Sequence, residues 1–587
     1  MKIYNLFLML FLSLSLTAQT TYFVSVDGND SNDGLSESTS WKTFSFAASA
    51  DSPVKSGDMV YIKAGDYGLD DVFIDKNYNE GDERISFVGY RNTPGDILDF
   101  DFKYGDDVDA SKMPLINPGN RLKGEGVNLS DIYNITIKNL QIANAIAGIS
   151  VWNTESINSN HILENIFIKT IGDDYSTALS VKEGNHNLIK NCLIVNATGA
   201  GMDVWGDNNT IENCKVYSNE SELLEGGTYS SMDYYIVLKG DSNVIRNCYI
   251  ERDGILEDVG HGMEIKENGE HNLFVDCTAK NMVGGCFSVR WSGVKNNEFR
   301  NCKAISTLDD DITAFLIRDG ASNNVFNSCI SENCQAGVRF LLSGEDADYC
   351  GEHNVLNNCI IKNATWVFDL NSWYYNSAPA DNNRLVNCTI DGAKYMVNAD
   401  RPNMGNQFEN CIITNVENYL AGEKIANLEF IHNDFHENGF DMPDGVGNIT
   451  QNPLFVNSTS GDYHLTKDSP CIDAGIDTDA PNVDFDGTSR PQGMGFDIGA
   501  YEFVKSTAVS EVDAYQNLIY PNPTHHQLWV ADKFENSSYE IISTFGETIS
   551  KGHIYNHQID ISSLSNGLWI VKLNDGLNDF AFRVVKD

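Results

Sequence analysis

The chain has 587 residues, 41% of them apolar, with 48 glycines and a formal net charge of −43. A surface this acidic argues against nucleic acid as a partner, because phosphate binding needs a basic face, and only weakly against an anionic glycan, which a local basic stripe can hold. Length and apolar content suffice for a large core in an elongated shape.

Residues 1–18, MKIYNLFLMLFLSLSLTA, place a lysine before an apolar stretch that ends in small residues ahead of Gln19. This is the pattern of a secretory signal. No second apolar stretch approaches the length of a membrane helix, so no transmembrane segment is expected. Residues 19–110, with YFVSVDGNDSNDGLSESTSWKTF and GDMVYIKAGDY, resemble the opening coil and cap of extracellular polysaccharide-degrading β-helices, which implies an N-terminal cap and first coils there.

The region 111–430 is dominated by one repeat. Asn-x-apolar-x-Asn/Asp/Ser-Cys occurs as NLIKNC from Asn187, NTIENC from Asn209, NVIRNC from Asn243, NLFVDC from Asn272, NEFRNC from Asn297, NVFNSC from Asn324, NVLNNC from Asn354, NRLVNC from Asn383 and NQFENC from Asn406. The copies lie 22 to 34 residues apart, and short strands such as LSVK, MDVW, IVLK, MEIK, FSVR and FLIR intervene. Strands and Asn turns at this period, with no helical pattern, predict an all-β, right-handed parallel β-helix in which equivalent residues stack coil on coil. The Asn and Cys positions become ladders. One Cys per coil without a C-x-x-C spacing reads as buried thiols rather than a disulfide or zinc framework. His186, His271 and His353, each just before a ladder Asn, read as turn residues.

Alternation along the second strand of each unit puts Met202, Ile236, Met263 and Phe287 inside. One outward column then runs Trp152, Lys182, Trp205, Lys239, Lys266, Arg290, Arg318; its neighbour runs Ser150, Ser180, Asp203, Val237, Glu264, Ser288, Leu316. Both columns are predicted to be exposed. Rungs about 4.8 Å apart bring like charges together, which lowers the pKa of Lys266 and calls for an anionic partner. The expected binding set is Lys182, Asp203, Trp205, Lys239, Arg318 and Arg339, with the faces of Trp152 and Trp205 offered to sugar rings. The expected partner is an anionic, uronate-containing polysaccharide, sulfated ones included, or its oligosaccharides.

Cleaving a uronate glycan by β-elimination requires neutralising the carboxylate, taking the C5 proton and protonating O4. Lys266 is the candidate base and Arg290 the carboxylate partner. His261, in the loop entering the strand, is a candidate proton donor or base, and Glu264 completes the catalytic set. Lys266 in MEIK and Arg290 in FSVR resemble the Lys and Arg on successive central coils of family-six polysaccharide lyases. That resemblance implies elimination. It also implies calcium, but where those lyases carry two glutamates before the Lys this chain has Val259 and His261, and where they often carry His after the Arg it has Trp291. A rival reading is hydrolysis by Asp203 and Glu264, two rungs or about 9–10 Å apart, near the upper edge of the roughly 6.5–9.5 Å separation of inverting glycosidases. A third is a glycan-binding solenoid without catalysis. Loops at 218–234, 343–351 and 371–383 are long enough to wall the groove, which would direct action to chain ends and make the protein an oligosaccharide dehydratase.

Residues 431–504, with DSPCIDAG and DFDGTSRPQGMGFDIGAYEF, resemble the closing segment of secreted β-helices, and 505–518 read as a linker. Residues 519–587, with YPNPTHHQLWV and SSLSNGLWIVKLNDGLNDFAFRVVKD, resemble the C-terminal sorting domain of Bacteroidetes proteins exported by the type IX system, a small β-sandwich. The resemblance implies the type IX machinery as partner and a secreted or cell-surface location. The protein is expected to be a monomer.

Overall fold

A computed structural model describes residues 19–76, 80–121, 123–172, 176–219, 222–223, 229–230, 232–254, 260–343, 349–370, 379–399, 403–421, 427–478, 480–504, 510–511, 519–520, 524, 526–543, 548–574 and 579–586. The predicted signal, most of the predicted linker, Val259 and the central parts of the three predicted wall loops lie outside the described residues. The chain divides into two compact units, one up to Phe503 and one from Val504.

The first unit is a right-handed parallel β-helix of about 12 turns. Stacking starts at the front of the chain, where Thr21–Val24 pairs in parallel with Met59–Lys63 and that strand with Ile85–Tyr90. It ends in bridges from Ile431 to Val446 and from Asp434 to Ile449. The coils therefore extend beyond the repeat that marks them in the sequence, because their outer members keep the inward apolar residues but not the Asn-Cys signature.

The repeat works through two kinds of turn residue. The ladder asparagines from Asn187 to Asn406 are each at most 2% exposed. From Asn187 to Asn383, each donates its backbone N–H to the Oδ1 of the asparagine one coil on, and at most rungs its side-chain amide does the same, at 2.8 to 3.3 Å. Such a chain of amides satisfies buried turn groups that would otherwise lose their water, and each bond polarises the next. The residue before each Cys is left-handed, with φ of 52–55° from Asn191 to Asn410, a conformation Asn and Asp tolerate better than most side chains. His186, His271 and His353 also have positive φ, 57–59°, and are turn residues. All 13 cysteines are free and buried. The interior is further tied by stacked rings, Phe274 on Phe299 at 4.8 Å and Phe299 on Phe326 at 4.7 Å.

The second unit pairs a five-stranded sheet with a three-stranded one. They share a core that includes Leu528, Phe534, Ile559, Val571 and Phe580.

Candidate active site

The face that carries the charges is built from Thr177–Gly184, Ala200–Val204, Tyr234–Leu238, His261–Ile265, Phe287–Arg290, Thr313–Arg318 and Ala336–Leu341, each paired in parallel with the next. Register is set by the apolar residues that must stay inside: Met202 pairs with Ile236, Ile236 with Met263 and Met263 with Phe287. Consequently Lys182 lies level with Trp152 and Arg290 with Arg318, and Asp203, Val237, Glu264, Ser288 and Leu316 form one row. His261 is the first residue of its strand rather than part of the entering loop.

Two expectations about these rows need correction. The row containing Glu264 is not exposed: Val237, Glu264, Ser288 and Leu316 are all buried, with Glu264 at 0%. Nor is the cationic column without counter-charges. Lys239 Nζ sits 3.1 Å from Asp203, and both Arg290 and Arg318 aim Nε at Asp319 Oδ2, at 2.9 and 3.3 Å. Ser343 Oγ donates to Asp319 and accepts from Arg318 Nη2 at 2.8 Å. Two guanidiniums on one carboxylate leave a surplus positive charge beside Lys266. Arg339 falls in the other row, level with Leu316. Its buried guanidinium is held by Asp369 at 2.6 Å and Asp311 at 2.8 Å, so its charge is neutralised inside the protein and it is not presented to a ligand.

Lys182 rests over Trp152 at 4.4 Å and Trp205 at 5.6 Å, and Lys239 over Trp205 at 4.0 Å. Both tryptophans are exposed, so ring faces and ammonium groups alternate along the column.

Lys266 differs from its neighbours. Among the described residues its Nζ makes no ion pair; it donates a 2.8 Å hydrogen bond to the Tyr234 hydroxyl. The Trp291 ring lies 5.1 Å away, carried on a left-handed backbone with φ of 83°. Burial lowers the pKa of Lys266, Glu264 opposes that shift, and Arg290 and Lys239 add to it. Like-charge repulsion, expected from the sequence, thus acts in the right direction but is the lesser cause. A cleft of about 170 Å³ opens here, lined by Thr177, Asp203, Tyr234, Val237, Lys239 and Lys266. A larger opening of about 370 Å³ on the early coils is lined by Asp71 and Glu125, the wrong sign for an anionic ligand.

His261 stacks on the cleft residue Tyr234, with ring centroids 4.9 Å apart and planes at 15°. Its Nδ1 lies 3.2 Å from Glu264 Oε2 and 3.0 Å from the Gly284 carbonyl. Burial pushes the imidazole pKa down, but Glu264 and Asp233 outweigh it and the pKa ends raised. Burial raises that of Glu264, yet His261, Arg318 and Lys266 bring it down to about 2. Neither Glu264 oxygen has an aligned hydrogen-bond donor, so its charge is held mainly by the imidazolium.

This pair gives stability a pH dependence of definite sign. The His261 contribution is complete below about pH 6.5 and is lost as pH rises through its raised folded value; the Glu264 contribution is present above about 4.5 and is lost as pH falls towards 2. Thermal unfolding should therefore show a decline on the alkaline side of 6.5 that is absent in His261→Gln. An unchanged alkaline limb in that variant would contradict the pairing.

Among the described residues no group of three or more His, Cys, Asp or Glu is gathered to hold a metal ion. The carboxylates nearest Lys266 are already matched, Glu264 to His261 and Asp203 to Lys239, so these residues do not fit calcium. Tyr234, Asp319 and Ser343 were not foreseen. Tyr234 has a signal in the register, since it lies level with His261 on the preceding strand.

Coils of parallel strands with a charged, aromatic-lined face define a right-handed β-helix with a candidate carbohydrate site. Residues 125–308 match the family model for a right handed beta helix region, and residues 518–587 match that for a secretion system C-terminal sorting domain. No curated protein sequence matches the chain. Similar solved structures include a mannuronic acid specific polysaccharide family 6 lyase from human gut microbiota, at 12% identity and a TM-score of 0.39 over 74% of this chain and 83% of that one. Pectate lyase Pel9A is similar at 14% and 0.33 over 83% and 97%, and a GH87 alpha-1,3-glucanase catalytic domain at 12% and 0.37 over 63% of each.

Proposed function

We propose that the protein is a secreted or cell-surface carbohydrate-active enzyme that acts on an anionic, uronate-containing glycan or its oligosaccharides by β-elimination. Lys266 is the base and Arg290 neutralises the substrate carboxylate. The observation that carries this reading is Lys266 itself: a lysine of lowered pKa, without an ion pair among the described residues, on the wall of a cleft and next in line to two guanidiniums that share one carboxylate. A neutral amine takes a proton from carbon, and the surplus guanidinium charge stabilises the carbanion-like state that results. Lys182, Trp205 and Lys239 continue the column as binding positions. The sorting domain supports export.

Hydrolysis by Asp203 and Glu264 loses support, because a fully buried carboxylate ion-paired to imidazolium does not reach a glycosidic oxygen. The test is a panel of uronate polysaccharides and oligosaccharides, followed by the ultraviolet absorbance of the unsaturated uronate and by mass spectrometry. Cleavage with unsaturation marks a lyase, loss of water without cleavage a dehydratase. New reducing ends without unsaturation would sink elimination, and binding without turnover would leave a recognition solenoid. Affinity should fall as salt rises, since exposed charge contacts are screened.

A further inference from the structure

Elimination needs two proton transfers, one from carbon and one to the departing oxygen, and Lys266 accounts for the first. The second needs a proton donor that lines the same cleft and is not already committed to a carboxylate. Lys239 is tied to Asp203, and Arg290 and Arg318 are tied to Asp319. His261 is not among the residues that line the cleft, and its Nδ1 is turned to Glu264 and Gly284.

Tyr234 meets the requirement. Its hydroxyl oxygen accepts from Lys266 Nζ at 2.8 Å, which leaves its own O–H proton free to point elsewhere. The hydroxyl lines the cleft with Lys266, and Thr177 brings the other side-chain hydroxyl there. The ring is fixed by its stack on His261, which Glu264 anchors. Burial raises the phenol pKa, as do Glu264 and Asp233, while Arg290 and Arg318 oppose them. Burial thus holds the phenol in its protonated form.

We propose that Tyr234 is the general acid of the elimination, and that its hydrogen bond to Lys266 returns the proton taken from carbon. This assignment rests on the elimination reading. The neutral amine of Lys266 takes the C5 proton and becomes an ammonium. The electron pair of the broken C–H bond forms the C4=C5 double bond and expels O4. The Tyr234 hydroxyl gives its proton to O4 and becomes a phenolate, and the ammonium then passes its extra proton across the hydrogen bond. Both side chains return to their neutral forms, with no proton gained or lost overall.

The experiment compares wild type, Tyr234→Phe and Lys266→Ala on two substrates: the uronate glycan turned over in the panel, and a synthetic uronide bearing a nitrophenyl ether at O4. Nitrophenolate leaves without being protonated. Tyr234→Phe keeps the ring stack and should lose about 10²- to 10⁴-fold in kcat on the natural glycan, with little change in KM. On the nitrophenyl ether it should run at nearly the wild-type rate. Lys266→Ala should lose both substrates, since the carbon proton must be removed in either case. Thermal unfolding of each variant checks that the fold is retained. Equal unsaturated product from wild type and Tyr234→Phe on the natural glycan, or equal loss of both substrates in Tyr234→Phe, would overturn the assignment and leave elimination standing. Nitrophenol released by wild type without an unsaturated product would overturn elimination and the assignment together.

Discussion

Lys266→Ala should abolish measurable turnover of the uronate substrate, a loss of about 10²- to 10⁴-fold from removal of a positioned base. Lys266→Arg should be no better, although it preserves the charge. A guanidinium does not give up its proton at any pH the protein survives, so it binds the glycan but accepts nothing from carbon. The pair of variants separates the two roles of the side chain. If Lys266 only attracts the substrate, arginine restores activity; if it takes the proton, arginine binds and stalls. The acid limb of kcat/KM in the wild type should fall below the range of an ordinary lysine, in the direction set by burial, Arg290 and Lys239. Arginine that supports turnover would move the base elsewhere, with His261, stacked on Tyr234, next in line.

Arg490→Met should produce the largest loss of stability in the first unit. Arg490 and Glu502 have fully buried side chains, and Nη1 lies 2.8 Å from Glu502 Oε2. The same guanidinium donates to the carbonyls of Asp497 and Gly499 and, through Nη2, to Asn358 Oδ1 at 3.2 Å. It thus joins the closing segment to a coil more than a hundred residues earlier. Removing it leaves Glu502 charged and buried without its counter-ion, which costs about 3–5 kcal/mol. Replacing both partners by apolar residues should recover much of that loss, because the unpaired charge goes too. Denaturant unfolding of the single and double variants checks this. A single variant within about 1 kcal/mol of wild type would mean that water enters and solvates the carboxylate.

The architecture could be read from the sequence because its cause is local and periodic. An asparagine that stacks on its copy one coil away must recur at the same place in every coil, and side-chain alternation then assigns each strand residue to a face. Both outward rows were legible for that reason. What alternation leaves open is the covering of a face. Glu264 points away from the core, yet His261 and its neighbours close over it, and no count along the strand reveals that. The carboxylates that neutralise the column come from other places: Asp319 comes after its strand in a left-handed turn at φ of 55°, and Asp203 reaches Lys239 across a rung. Arg339, expected in the binding set, lies level with Leu316 rather than with Arg318. Tyr234 sits at the head of a strand, where packing rather than pattern brings its hydroxyl to Lys266.

The amide ladder also bears on how such a scaffold acquires new specificities. The side chains that hold one coil on the next, the stacked asparagines, the left-handed turn residues and the inward rings, lie at a corner or inside. The side chains of Trp152 and Trp205 are exposed and take no part in that ladder, and substitutions there should shift stability by no more than about 0.5 kcal/mol. Duplicating or deleting one coil would lengthen or shorten the outer surface by a single rung while leaving every other rung intact. Variation in this lineage can then proceed like resetting type in a fixed frame, with new recognition written one coil at a time.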